Sequence, residues 1–267
     1  MKAEDLKLAV QKKYAEYAQN SLVRVQYSCS GNSSCCDDLG FSMIGDEYTN
    51  VEGHNADADL GLGCGIPTQF ANIKAGDSVL DLGSGAGNDC FVARTLVGET
   101  GKITGIDFTD AMTEKARVNN AKLGYTNVKF IRGDIEEMPL ADNQFDIIVS
   151  NCVLNLVPDK EKAFSEMYRV LKPEGHFCVS DVVIKGVLPV KLRKDAEMYA
   201  GCVSGASNLD DYLAIITKEG FKDIVIHKEK VISIPENILA NYLTKEEIES
   251  FTKVGSGIFS ITVSANK

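Results

Sequence analysis

Three of the eight cysteines stand alone in segments that could bring them to one place. Cys64 lies between two glycines in GLGCGIP, Cys152 follows Asn151 at the end of the run FDIIVSN, and Cys202 sits in YAGCVSGA. Thiolates drawn from three separate segments suit a soft, thiophilic centre, because sulfur ligands favour soft metals and metalloids over oxygen-loving ions. No CxxC pair or neighbouring His supplies a recognisable zinc site. Two readings of Cys64 stay open: an accessible thiol with bare backbone on either side, or a small residue filling a tight turn. Cys90 and Cys178 fall inside a helix and a strand and read as packing. Cys35 and Cys36 are adjacent in a polar stretch that also holds Cys29. Adjacent cysteines are poorly placed to bridge each other, so each is left to reach a distant sulfur.

A second chemical feature is VLDLGSGAGND, residues 79–89. An apolar strand closes at Asp81, and Gly83, Gly85 and Gly87 then turn the chain into a helix, letting backbone approach a ligand more closely than a Cβ would permit. The next run, KITGIDF, ends at Asp107, 26 positions after Asp81. That is close to the spacing at which a strand-end carboxylate meets ribose hydroxyls. A third run, NVKFIRGD, ends in Asp134. The acidic residue directly before the turn disfavours a phosphate-rich ligand.

DLGSGAG, GIDFTDAM and GDIEEMPLADNQFDIIVSN together resemble the class I S-adenosylmethionine-dependent methyltransferases. The resemblance implies S-adenosyl-L-methionine as cofactor. Its amino acid end would lie against Gly83, Gly85 and Gly87, its ribose on Asp107, and its adenine near Asp134 and Ile135. It also implies cofactor contacts from Asp81, Ser84, Asn88, Phe108, Met112, Glu136 and Asn151. With the SCC loop, LGLGCG, SNCVLNL and AGCVSGA added, the pattern resembles the arsenite methyltransferases. By that resemblance Cys64, Cys152 and Cys202 bind trivalent arsenic, and Cys35 or Cys36 is an additional redox cysteine. The loop GNSSCCDDLGFS does not settle which one. Because methyl transfer leaves the product formally pentavalent and two thiols can return two electrons, one of this pair is expected to form a transient disulfide with Cys64, the other reading being a passive exposed pair. Trivalent arsenic on three sulfurs keeps a lone pair that can attack a sulfonium methyl in line, so no proton needs removing and His54, His176 and His227 need no catalytic role. Two other functions remain in view: methylation of oxygen, nitrogen or carbon on a small organic molecule, and a thiol-rich protein that binds a metalloid without turnover.

The elements that would position these groups read as alternating strand and helix. Leu6, Val10, Tyr14 and Tyr17 mark one face of a helix over 4–19. Residues 28–63 lose all periodicity, as functional or disordered loops do. Thr109 reads as the N-cap of a helix with Met112, Ala116 and Leu123 facing the sheet. Phe164, Met167, Val170 and Leu171 form a helical stripe stopped by Pro173 and Gly175. Another helix turns Leu213, Ile216 and Phe221 inward. Residues 145–151, 175–181, 222–233 and 257–267 read as strands four to seven. The expected fold is α/β, a doubly wound, mostly parallel seven-stranded sheet, whose order 3-2-1-4-5-7-6 the resemblance implies. The chain divides into an N-terminal helix and Cys-containing loop (1–62), a Rossmann-like cofactor core (63–183) and a substrate-covering segment with the last two strands (184–267).

Composition narrows the partners. With 28 Lys and Arg against 38 Asp and Glu, the formal net charge is −10, and no dense basic stripe is present, so nucleic acid would be repelled. No apolar run reaches the length of a membrane span, and the amphipathic start is no secretory signal. The expectation is a cytoplasmic enzyme with reduced thiols. Its partners would be arsenite or thiol-bound trivalent arsenic and a cellular thiol reductant, with neither nucleic acid nor membrane.

Overall fold

Near-continuous apolar runs require strands covered on both faces. The computed structural model, which describes residues 3–24, 48–186, 206–232, 244–246 and 257–267, builds them into one seven-stranded sheet. In chain order these are β1 (Ser78–Leu82), β2 (Lys102–Asp107), β3 (Val128–Arg132), β4 (Phe145–Asn151), β5 (Leu171–Lys185), β6 (Lys222–Ile232) and β7 (Gly257–Asn266). The sheet order is β3-β2-β1-β4-β5-β7-β6, matching the expected one. β3 to β5 pair in parallel through β2, β1 and β4, while β7 runs antiparallel to both neighbours. All the carboxyl ends of the parallel strands therefore open on one edge, where β1 and β4 are neighbours and the loops diverge.

Helices cover both faces: α1 (Ala3–Arg24), α2 (Asn88–Val97), α3 (Asp110–Leu123), α4 (Lys160–Val170) and α5 (Leu209–Lys218). Phe91, Val97 and Ala116 of α2 and α3 pack with Val79, Ile103 and Phe130 in one core. The other core joins α4 and α5 to the sheet through Phe164, Met167 and Tyr212. Within it the Phe164 ring lies 5.6 Å from Tyr212 and 5.7 Å from Phe177. Aromatic edges and faces so arranged add about 0.5–1.5 kcal/mol per pair beyond burial.

Local chemistry corrects three sequence-based expectations. Thr109 occupies the N-cap of α3, but its hydroxyl makes no capping bond; the backbone amide of Thr109 instead donates to Asp107 Oδ1 at 2.8 Å. α4 ends at Val170, because Leu171 turns extended and pairs with Phe145 as the first residue of β5. Residues 48–63, read as part of an aperiodic loop, are held by turns such as His54 N to Val51 O at 3.0 Å. Cys29, Cys35, Cys36, Tyr199 and Cys202 lie outside the described residues.

One buried charge sits in the α5-side core. Asp181 of β5 is 1% exposed and accepts hydrogen bonds from Tyr212 Oη at 3.1 Å and Val182 N at 2.9 Å. Burial pushes its carboxyl up to about 6 from an ordinary 3.8, against the opposing charge of Lys160 and those hydrogen bonds. A folded-state value above the unfolded one means the folded chain holds the extra proton. The group therefore favours folding below about pH 4 and loses that contribution as pH rises through 6, at most about 3 kcal/mol. Asp181→Asn should consequently melt progressively higher relative to wild type between pH 4.5 and 7.5. A constant difference in melting temperature across that range would show that Asp181 is not strained by its charge.

Candidate functional site

The site grows from the glycine turn at the carboxyl end of β1. Gly83 N and Ser84 N both donate to Ile106 O, at 2.8 and 3.0 Å, anchoring the turn on β2. Asp107, 8% exposed, then accepts from Gly85 N at 3.0 Å and Thr109 N at 2.8 Å. Burial raises its carboxyl, and these two amides oppose the rise. Gly87 has φ 101°, and a Cβ there would come within 2.8 Å of Phe130 and 2.9 Å of Phe91. Gly87 is thus needed for close helix-to-sheet packing and does not line the pocket, contrary to its expected cofactor contact.

Above this turn is a pocket with about 1110 Å³ of space between atoms, part of it open to solvent. Asp81, Gly83, Ser84, Gly85, Asn88, Asp107, Phe108, Met112, Asp134, Ile135, Asn151 and Cys152, all singled out in the sequence, line it. Glu136 does not. Its carboxylate is taken up by an ion pair with Lys7 and a 2.7 Å bond from Asp159 N, which ties the loop before α4 to the β3 end. Lys7 also donates to Asp134 Oδ2 at 2.6 Å, and Gln11 Nε2 to Phe108 O at 3.0 Å, so α1 closes one wall.

The opposite wall was not foreseen. Tyr48, 6% exposed, donates to Asp89 Oδ1 at 2.6 Å, and Asp89 lines the pocket beside Asp81. Burial lifts Asp81 well above the carboxylate range, with the Asp89 charge adding to it. Asp89 rises to about 6 for the same first reason, opposed by hydrogen bonds from Tyr48 and Asn151. Cys90 Sγ donates to Asp81 Oδ2 at 3.2 Å from beneath. The pocket therefore carries a buried acidic end, fit for a cationic group.

Cys152 sits at that end. Its φ of 59° is left-handed, unusual for a residue with a Cβ, and its amide is held by Ser180 O at 2.8 Å. Of the two readings left open for Cys64, burial favours the small residue in a tight turn: Cys64 is only 1% exposed and does not line the pocket. Its amide donates to Asn151 Oδ1 at 2.9 Å and its carbonyl accepts from Ser260 Oγ at 2.6 Å. Both thiols are near Tyr212, whose hydroxyl is raised first by burial, then by Asp181, and further by Cys64 and Cys152. Cys90 and Cys178 are fully buried in the α2-side core. His54, His176 and His227 bond Asp59, the Ala71 carbonyl and Ser264, and none of the three histidines lines the pocket, although Asp59 does. Among the described residues no cluster of three metal-ligating side chains is formed, and no helix is long and apolar enough to cross a membrane.

Comparison with known proteins agrees with this geometry. The family model for a methyltransferase domain matches residues 73–234. The chain is 41% identical to an arsenite methyltransferase of Halobacterium salinarum over 84% of its length and 59% of that protein. It is 36% identical to an arsenite methyltransferase of Aquipseudomonas alcaligenes over 91% of its length and 70% of that protein. The crystal structure of an arsenic(III) S-adenosylmethionine methyltransferase from Chlamydomonas reinhardtii superposes with a TM-score of 0.64 at 38% identity, covering 77% of this chain and 67% of that one. Built on a methyltransferase domain whose carboxyl edge gathers an acidic pocket and two buried thiols, the chain belongs to the arsenite methyltransferase family.

Proposed function

We propose that this protein transfers a methyl group from S-adenosyl-L-methionine to trivalent arsenic, presented as arsenite or as a thiol-bound species. The observation that carries the reading is Cys152, held in a left-handed turn on the pocket wall with Cys64 buried beside the same Tyr212. Sulfur in that position fits a soft, thiophilic acceptor.

The pocket also suits the cofactor. Asp81 and Asp89 supply negative charge for an α-ammonium and a sulfonium, Asp107 supplies carboxylate lone pairs for ribose hydroxyls, and Phe108, Met112 and Ile135 offer apolar surface for adenine. When bound, S-adenosyl-L-methionine supplies an electrophilic methyl. The protein's part is to hold the arsenic by thiolates of Cys64, Cys152 and Cys202 and to keep the acceptor within about 3 to 3.5 Å of its target. Its buried walls also keep water away. Each methylation leaves arsenic formally pentavalent, and two thiols becoming one disulfide return the two electrons needed. Cys64 with Cys35 or Cys36 is the pair assigned to that step, reset by exchange with a cellular thiol in a reducing cytoplasm.

Incubation with arsenite, a thiol and S-adenosyl-L-methionine, followed by mass spectrometry of arsenic species, should yield methylated arsenic. Cys64→Ser and Cys152→Ser should each bind the cofactor and lose most of that product. Wild-type rates in both would transfer the reading to an organic acceptor.

The acidic end gives a pH dependence. A bound ammonium favours the ionised carboxylates, so affinity for S-adenosylhomocysteine should rise as pH increases through about 6, where Asp89 ionises, and level off above 7. Asp107→Ala should weaken binding about tenfold or more at pH 7.5, since a lost charged hydrogen-bond partner costs about 1.5–3 kcal/mol. Calorimetry that finds flat affinity from pH 5 to 7.5 would remove the ammonium from this end of the pocket.

A further inference from the structure

The side chain of Asn151 immediately precedes one thiol and grips the loop of the other. Its Oδ1 accepts from Cys64 N at 2.9 Å and Gly65 N at 3.3 Å. Its Nδ2 donates to Gly65 O at 2.8 Å and Tyr48 Oη at 2.8 Å, and lies 3.2 Å from Asp89 Oδ2. Two amide N–H groups and one carbonyl oxygen are all occupied by protein partners, which leaves the amide no role as a direct cofactor ligand, although the residue lines the pocket.

The loop is shaped for this grip. A Cβ on Gly63 would approach Asn151 Nδ2 to 2.5 Å, and one on Gly65 would collide with the Ser180 hydroxyl. The two glycines flanking Cys64 therefore admit the amide on one side and β5 on the other. Tyr48 completes a triangle, since its hydroxyl touches Asp89, Asn151 and, at 3.1 Å, Gly65 O. Asp89 faces the cofactor pocket and Gly65 adjoins Cys64, so a single polar cluster spans both.

We propose that Asn151 is a positioning residue that sets Cys64 relative to Cys152 and, through Tyr48 and Asp89, couples cofactor occupancy to the metalloid thiols. The clamp deepens the proposed arsenite reading and rests on it for the identity of the second ligand. A cofactor drawing on Asp89 tightens the triangle and holds the Cys64 loop closed. By linkage the metalloid then favours the cofactor by the same factor.

The test uses the full chain and follows alkylation of Cys64 by iodoacetamide, read by peptide mass spectrometry, with and without saturating S-adenosylhomocysteine. In wild type the ligand should slow Cys64 alkylation by about fivefold or more, the low end of ordinary coupling. Tyr48→Phe, likewise saturated with S-adenosylhomocysteine, should show protection of Cys64 below about twofold. Asn151→Asp cannot donate to Gly65 O and places like charge beside Asp89. It should expose Cys64 about tenfold faster than wild type, an opening of one local contact set. Cys90 and Cys178 rates and the melting temperature serve as controls against general loosening. Equal protection in all three proteins would overturn the coupling, as would equal acceleration at all buried cysteines. Loss of S-adenosylhomocysteine affinity in Asn151→Asp with Cys64 still protected would make Asn151 a cofactor ligand instead. Equilibrium dialysis with arsenite separates the two layers. If wild type shows the protection pattern but binds no arsenite, the arsenic reading fails and the clamp stands.

Discussion

A carboxylate buried at the end of a strand must find donors, and Asp107 finds them in Gly85 and Thr109, one before α2 and one before α3. That pair of bonds ties β2 to the glycine turn of β1 and fixes the start of the next helix. Without it the turn would be held to β2 only by the amides of Gly83 and Ser84 on Ile106 O. Each oxygen accepts one amide, Oδ2 from Gly85 and Oδ1 from Thr109, and keeps a lone pair. Charge-assisted hydrogen bonds of this kind are stronger than neutral ones, and they oppose the rise that burial imposes on the carboxyl.

Much of this was legible in the sequence, and the reasons are physical. Strand runs such as FDIIVSN appear as β4 from Phe145 to Asn151, because burial on both faces leaves an uninterrupted apolar signature. The glycine turn and Asp107 were legible because few residue types satisfy a left-handed turn beside a buried acid. Tyr48 and Asp89 were not, since their meeting spans 41 positions and neither carries a local pattern. Lys7 reaches Asp134 across 127 positions, a contact that helix periodicity in α1 cannot show. Glu136 was misread because its type fits a cofactor acid, whereas its surroundings make it an anchor for α1 and α4. Glycines around Cys64 fit exposure and tight packing equally well. Here they permit close approach of Asn151 and Ser180, and the thiol is buried.

The thiols divide by where the sheet puts them. Cys178 lies in the middle of β5, paired with Val149 and Ser264, and burial alone pushes it up to about 12. Cys90 is likewise raised by burial, with the Asp81 charge adding to it. Such sulfurs stay protonated and inert at neutral pH, because the thiolate is the nucleophile and ligand. Cys152 differs in kind, since it follows the last residue of β4 and one side of it is the pocket.

That position requires a backbone conformation a side chain disfavours, at a cost of about 1–3 kcal/mol. The hydrogen bond from Cys152 N to Ser180 O returns about 1 kcal/mol of it. Immediately beyond the turn, Leu154 enters the same core as Phe164. A glycine at this position would relieve the strain and remove the sulfur. An unstrained cysteine would continue the strand and carry its side chain along the sheet face, where Cys178 shows what becomes of a thiol. The left-handed turn is therefore what places this cysteine on the pocket wall. It works only because β5, by carrying Ser180 to the adjacent register position beside Asn151, closes the turn from the other side.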